Sequence, residues 1–150
     1  MSVTLELDEV RALTIRCLES NGCDAANAAA VADVLHAAER DGAKSHGLFR
    51  LPGYVKSLRS GKVNGHATPR VEDLAPGALR VVGDGGFAPL SQQLGLKPLI
   101  ERTRAQGLAA MAINDSEFWT RWRRVIRSRC TGSPCHWPVR RPRIARISPA

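Results

Sequence analysis

Residues 79–115 read LRVVGDGGFAPLSQQLGLKPLIERTRAQGLAAMAIND, and the way they divide decides the fold. Leu79–Val82 is a short apolar run of strand type, closed by a glycine turn at Gly83, Gly85 and Gly86. Residues 88–106 follow with helical spacing, interrupted at Pro98, and Leu108–Ile113 forms a second buried strand. The result is a strand–helix–strand unit. Within it, Gly83-x-Gly85-x-x-Ala88 nearly fits the glycine fingerprint of dinucleotide-binding folds, where bare backbone approaches a pyrophosphate at a helix N-terminus. Asp115 closes the second strand, where a ribose-binding acid would stand. Against that, Asp115 lies far from Ala88, Pro89 crowds the turn, and a lone fingerprint carries little weight. A tight glycine turn explains the same residues.

Upstream the period is helical. Val10, Leu13, Thr14, Cys17 and Leu18 recur at i, i+3, i+4, i+7 and i+8, and Gly22 supplies a stop, which predicts a helix over 8–21. Residues 25–40 repeat the pattern with Val31, Leu35 and Ala38, and are rich in alanine, the best helix former. Gly42–Gly47 is a turn. A third helix is expected from about Leu48 to Leu58, its start drawn toward Pro52. Residues 60–70, with Gly61, Gly65 and Pro69, are loop-like. Helices come first and the strand–helix–strand unit second, so the expected class is α+β.

The 150 residues carry a formal charge of +8, unevenly distributed. Met1–Asp115 hold 13 Lys and Arg against 13 Asp and Glu, while Ser116–Ala150 hold nine Arg, no Lys and the single acid Glu117. All three tryptophans and four of the nine prolines also lie in this last stretch, and periodicity fails there. Residues 1–116 are therefore expected to be the folded part, and 117–150 a disordered basic tail. With the charge so confined, the +8 average does not make the folded part a nucleic-acid or membrane binder. The interleaved Trp and Arg of RWRRVIRSR, residues 121–129, keep one competing class open: a small basic protein that binds nucleic acid or a membrane surface. Cys130-x4-Cys135-His136 misses the spacings of zinc and haem sites, and no metal is expected. The N-terminus lacks a basic-then-apolar leader, and no apolar run reaches the roughly 18 residues of a membrane span, so a cytoplasmic chain with free thiols is expected.

The candidate chemistry lies in GAKSHGLFRLPGYV, residues 42–55. Ser45 and His46 are adjacent between two glycines, and Arg50 follows His46 by four. Histidine gives or takes a proton near neutral pH, and a neighbouring hydroxyl can orient its ring. If a helix begins at His46, Arg50 shares its face and can grip a carboxylate with two parallel hydrogen bonds. On spacing alone, a turn histidine beside a surface arginine explains the pattern more economically.

The longer run RDGAKSHGLFRLPGYVKSLRSGKVNGHATPRVEDLAPGALRV, residues 40–81, resembles the N-terminal part of the type-2 malate/L-lactate dehydrogenase family. SHGLFRLPGYV and the later GGFA look closest to its Δ1-piperideine-2-carboxylate/Δ1-pyrroline-2-carboxylate reductase branch. The resemblance covers about residues 5–116. It implies an oxidoreductase using NAD or NADP, a non-Rossmann fold, a homodimer and a small carboxylate substrate: a cyclic imine, malate, lactate or ureidoglycolate. By the same resemblance Ser45 and His46 would be proton relay and donor, and Arg50 would hold the substrate carboxylate. It reverses the weighing of the motif and favours the plain turn over the glycine fingerprint. The family continues with a Ser-x-His-x-Gly motif, a lysine and most of its cofactor-binding residues. Here Ser116 is in place but position 118 is Phe, and nothing further matches. An Arg-, Pro- and Trp-rich stretch without lysine is what a GC-rich gene yields in a wrong frame. The expectation is therefore a truncated, frameshifted member: an incomplete dehydrogenase fold, inactive by itself, with apolar faces left uncovered.

Overall fold

The computed structural model describes residues 3–117 and 145–147, in two compact units that meet in sequence at Gly65 and His66. The expectations for residues 118–144, including the basic interleaving and the Cys130–Cys135 pair, lie outside the described residues. Within the segment expected to be tail, Glu117 closes a strand, and Ala145–Ile147 (β5) pairs antiparallel with Val3–Leu5 (β1).

The first unit is built on two helices, α1 (Leu7–Glu19) and α2 (Ala25–Arg40). The N–H of Glu6, just before α1, donates to the Glu9 carboxylate at 2.8 Å. Asp24 caps α2, its side chain accepting from the Asn27 N–H at 2.8 Å. Each acid satisfies a donor at the start of its helix. The apolar stripes close on each other: Val10 and Leu18 of α1 and Ala28, Val31, Ala32 and Leu35 of α2 are fully buried. Thr14 sits in the same layer, and its hydroxyl donates to the Val10 carbonyl at 2.8 Å, which removes the penalty of burying it. After α2 come two 3-10 turns, Lys44–His46 and Leu48–Arg50, and then α3 (Leu51–Arg59), with Pro52 in its first turn. The expected third helix is thus divided: Gly47 breaks the first turn from the second, and the α-helix starts where proline fits without losing a hydrogen bond.

The second unit is a three-stranded sheet, β2 (Arg70–Ala75), β3 (Ala78–Phe87) and β4 (Ala110–Glu117), in spatial order β2-β3-β4, with α4 (Ala88–Gln106) joining the parallel pair β3–β4. This is the strand–helix–strand unit read from the sequence, plus an antiparallel edge strand. β2 escaped notice because it is exposed along most of its length; the main-chain ladder and the cross-strand pair Glu72–Arg80 hold it, and neither leaves an apolar period. Leu79 and Val81 of β3, Leu99 of α4 and Ala109 form the core, with Val71, Met111 and Ile113 packed against it.

Three local expectations are corrected. The strand expected to be buried over Leu108–Ile113 runs from Ala110 to Glu117, with Leu108 exposed outside it and its residues at most half-buried, because β4 is the last strand of its three-stranded sheet. Helix α4 runs unbroken through Pro98. The carbonyl deprived of its donor belongs to Leu94, which is itself exposed, so losing that bond does not end a helix anchored at Leu99 and Thr103. Strand β3 does not stop at Val82; it continues to Phe87 through an irregular step, where Asp84 and Gly85 take left-handed φ of 54° and 68°. Asp84 tolerates that conformation while its carboxylate accepts from the Thr68 N–H at 3.0 Å. Leu74, Leu94, Leu96, Ile100 and Leu108 of this unit are exposed.

Because Leu35 is fully buried between α1 and α2, Leu35→Ala should cost about 2–5 kcal/mol in urea unfolding. The exposed Leu96→Ala should change stability by about 0.5 kcal/mol or less.

Candidate functional site

The sequence-predicted trio is assembled within the first unit. Helix α2 ends in a tight reversal in which the Ala43 N–H donates to the Ala38 carbonyl at 2.8 Å and Gly42 takes a left-handed φ of 74°. The chain then turns twice. His46 N–H donates to the Ala43 carbonyl at 2.8 Å in the first turn, and Arg50 N–H to the Gly47 carbonyl at 2.9 Å in the second. Ser45 Oγ lies 2.9 Å from His46 Nδ1, and the Arg50 Nε donates to the Ser45 carbonyl at 2.8 Å. Ser45 and His46 are exposed, and Arg50 is half-buried. These two hydrogen bonds link the three residues, on a backbone other than the one expected. The four-residue step from His46 to Arg50 is one 3-10 turn, a glycine joint and a second turn, not one turn of α-helix.

Three residues around the trio carried no assigned role in the sequence. Glu39, near the end of α2, reaches nine residues ahead, and its Oε1 accepts from the Leu48 N–H at 2.7 Å. Tyr54 lies one turn after Arg50 on α3; burial pushes its phenol up, and the Arg50 charge opposes that shift. The Arg50-x-x-x-Tyr54 spacing was a visible signal for this electrostatic influence, whereas nothing in sequence marks Glu39. Phe49 projects into solvent between His46 and Arg50 in sequence, 76% exposed. Asp41 pairs with Arg40 at 3.0 Å on the surface, and the hydrogen bond from Arg40 holds its carboxyl below the usual range. Lys44 is exposed.

The glycine fingerprint is explained by the sheet. A Cβ at Gly83 would overlap the Ser116 hydroxyl and approach the Asp115 carbonyl to 2.7 Å, so glycine is required there by the neighbouring strand. At Gly83 the space beside the backbone is taken by β4, so that glycine is accounted for by strand packing. Among the described residues no three His, Cys, Asp or Glu side chains form a metal-holding group, and no helix is long and apolar enough to cross a membrane. His36 is half-buried on α2 and His66 is exposed.

The family model described as malate/L-lactate dehydrogenase matches residues 5–127, past the composition break at 116. A Δ1-pyrroline-2-carboxylate/Δ1-piperideine-2-carboxylate reductase of Pseudomonas aeruginosa is 47% identical over 112 residues, covering 75% of this chain and 34% of that protein. Δ1-Pyrroline-2-carboxylate reductase 1 of Burkholderia ambifaria is 45% identical over 112 residues, covering 75% and 33%. Among solved structures, the malate dehydrogenase of Pyrococcus horikoshii superposes with a TM-score of 0.70 at 28% identity, over 79% of this chain and 34% of that one. The chain thus spans about a third of the length of the curated relatives it matches.

Cys17 and Cys23 are both free thiols. Burial, reinforced by the charges of Asp24 and Glu19, pushes the Cys23 thiol up from 9.0 to about 11. Folding therefore favours the neutral thiol. This contribution is intact below about pH 9, where the unfolded thiol begins to ionise, and is lost as pH rises through about 11. Urea unfolding from pH 8 to 11 should show a stability loss on the order of 2 kcal/mol that Cys23→Ala removes.

Proposed function

The chain belongs to the malate/L-lactate dehydrogenase family, and on that premise we propose that its 3-10 turns form the acid half of a reductase site for a cyclic imino acid. The observation that carries this reading is the 2.9 Å contact of Ser45 Oγ with His46 Nδ1, on a turn whose carbonyl at Ser45 is held by Arg50. With the Ser45 hydroxyl donating to Nδ1, the imidazole carries its proton on Nε2, the nitrogen free to face a substrate. Arg50 binds the substrate carboxylate through its guanidinium, which sets the imine nitrogen toward His46. His46 then protonates that nitrogen. Ser45, in contact with Nδ1, fixes the ring and passes its hydroxyl proton to Nδ1 as Nε2 gives up its own, taking a replacement from solvent at its exposed side, so that the imidazole stays neutral.

A cyclic imine carboxylate is favoured over malate or lactate because the relatives named for the five- and six-membered ring imines reach 41–47% identity. Such a reduction calls for hydride from a nicotinamide cofactor, NAD or NADP. The same reading takes the last residues of this chain to be translated out of frame, supported by the confinement of nine arginines and all three tryptophans to residues 116–150.

Pyrrole-2-carboxylate, a planar analogue of the substrate ring, should shift the His46 and Arg50 NMR signals of the chain, and Arg50→Ala should weaken its binding at least about tenfold. No shift at either residue would count against the site. In a hybrid joining residues 1–116 to the C-terminal part of the Pseudomonas aeruginosa relative, His46→Ala should lower kcat by about 10²–10⁴-fold. A near-parental kcat would remove the proposed proton donor. Sequencing the gene and translating all frames after codon 116 tests the frameshift; no family-like continuation in any frame would sink it.

A further inference from the structure

The geometry points to Glu39 as the positioning residue of this site: its carboxylate locks the Gly47 joint between the two turns and so fixes His46 relative to Arg50. The inference rests on the reading of His46 and Arg50 given above and adds a residue from a different element to it. His46 ends the first turn and Arg50 ends the second, and Gly47 alone lies between the turns. Any rotation there changes the distance from imidazole to guanidinium. Two contacts oppose that rotation. The Arg50 Nε bond to the Ser45 carbonyl, at 2.8 Å, spans the joint from one turn to the other. The Glu39 Oε1 bond to the Leu48 N–H, at 2.7 Å, ties the start of the second turn to α2.

The second contact has features that suit a lock. The Leu48 N–H opens a helical turn, where a backbone donor has no partner within the turn, and a carboxylate makes it a charge-assisted bond. Residue 47 is buried, and a Cβ added to it would overlap the carboxylate, with Glu39 Cδ at 2.5 Å and Cγ at 2.9 Å. The carboxylate thus occupies the volume that any side chain at 47 would need. Glycine at 47 and glutamate at 39 form one device, since each leaves room for the other. Glu39 does not touch the trio's reacting atoms; it acts through the backbone between them.

The test uses the isotope-labelled chain without ligand. It reads hydrogen exchange of the Leu48 amide and the nitrogen-15 signal of His46 Nδ1, with Ser45→Ala as the reference for a lost contact. Glu39→Ala should speed Leu48 exchange at least about tenfold and move the Nδ1 signal toward the Ser45→Ala position. Glu39→Gln, which keeps the accepting oxygen at the same reach, should keep Leu48 exchange within about threefold of the parent and leave the His46 signal in place. Gly47→Ala should reproduce the Glu39→Ala changes, and the double variant should be no worse than Glu39→Ala alone, because the clash is then relieved. Asn21→Ala breaks the 2.7 Å Arg59–Asn21 bond elsewhere in the unit and should move neither signal. Parental exchange and an unmoved Nδ1 signal in Glu39→Ala overturn the proposal, as does a Glu39→Gln that behaves like Glu39→Ala. Pyrrole-2-carboxylate titration of the parent is read separately: if it fails while Glu39→Ala behaves as expected, the functional reading falls and the lock stands.

Discussion

A carboxylate and a missing side chain share one volume at the end of α2. Glu39 fills the space beside Gly47 and holds the Leu48 N–H, and the chain can then make two successive 3-10 turns without running them together. The placement of Ser45, His46 and Arg50 follows from that joint. The turns are short and would fray in isolation, since each closes only one or two backbone hydrogen bonds for the entropy of fixing three residues. What stabilises them comes from outside: the helix pair α1–α2, whose buried apolar stripe makes α2 a rigid support, and the reach of one side chain from its last turn.

The second unit uses the same physical device in a sheet. At Gly83 a neighbouring strand comes so near that only hydrogen fits, and β3 steps through two left-handed residues before resuming. Glycines clustered between a strand and a helix leave the same trace in sequence whether they make room for a phosphate or for another strand. In this chain Ser116 and Asp115 of β4 take the room. The likeness to a nucleotide fingerprint comes from a shared need for bare backbone, with a different occupant.

Much of the architecture was legible. The helices α1, α2 and α4 and the existence of the strand–helix–strand unit were recovered from apolar period and punctuation, because the helices and β3 bury one face against a core and so write that face into the residue order. The edge strand β2 and the short pair β1–β5 were not, because main-chain ladders hold them and no apolar alternation records a ladder. Pro98 misled for a related reason: proline marks a lost backbone bond, but the surrounding contacts of Leu99 and Thr103 decide whether the helix survives it. On the turn, the nearness of Ser45, His46 and Arg50 was legible by type and adjacency. Glu39 was not, since its partner is a backbone N–H nine residues away and leaves no mark on the composition of either position.

The amino-acid sequence by itself determined the order of the helices and of the strand–helix–strand unit, the break in composition after residue 115, the membership of a dehydrogenase family and the identity of the three side chains on the turn. Those are properties of residue type and period, which are local. Tertiary structure decided how the turn is divided, what lies against Gly47 and Gly83 and which carboxylate holds the Leu48 N–H. Each of those depends on two segments distant in sequence competing for the same few cubic ångströms, and packing of that kind exists only after the chain has folded.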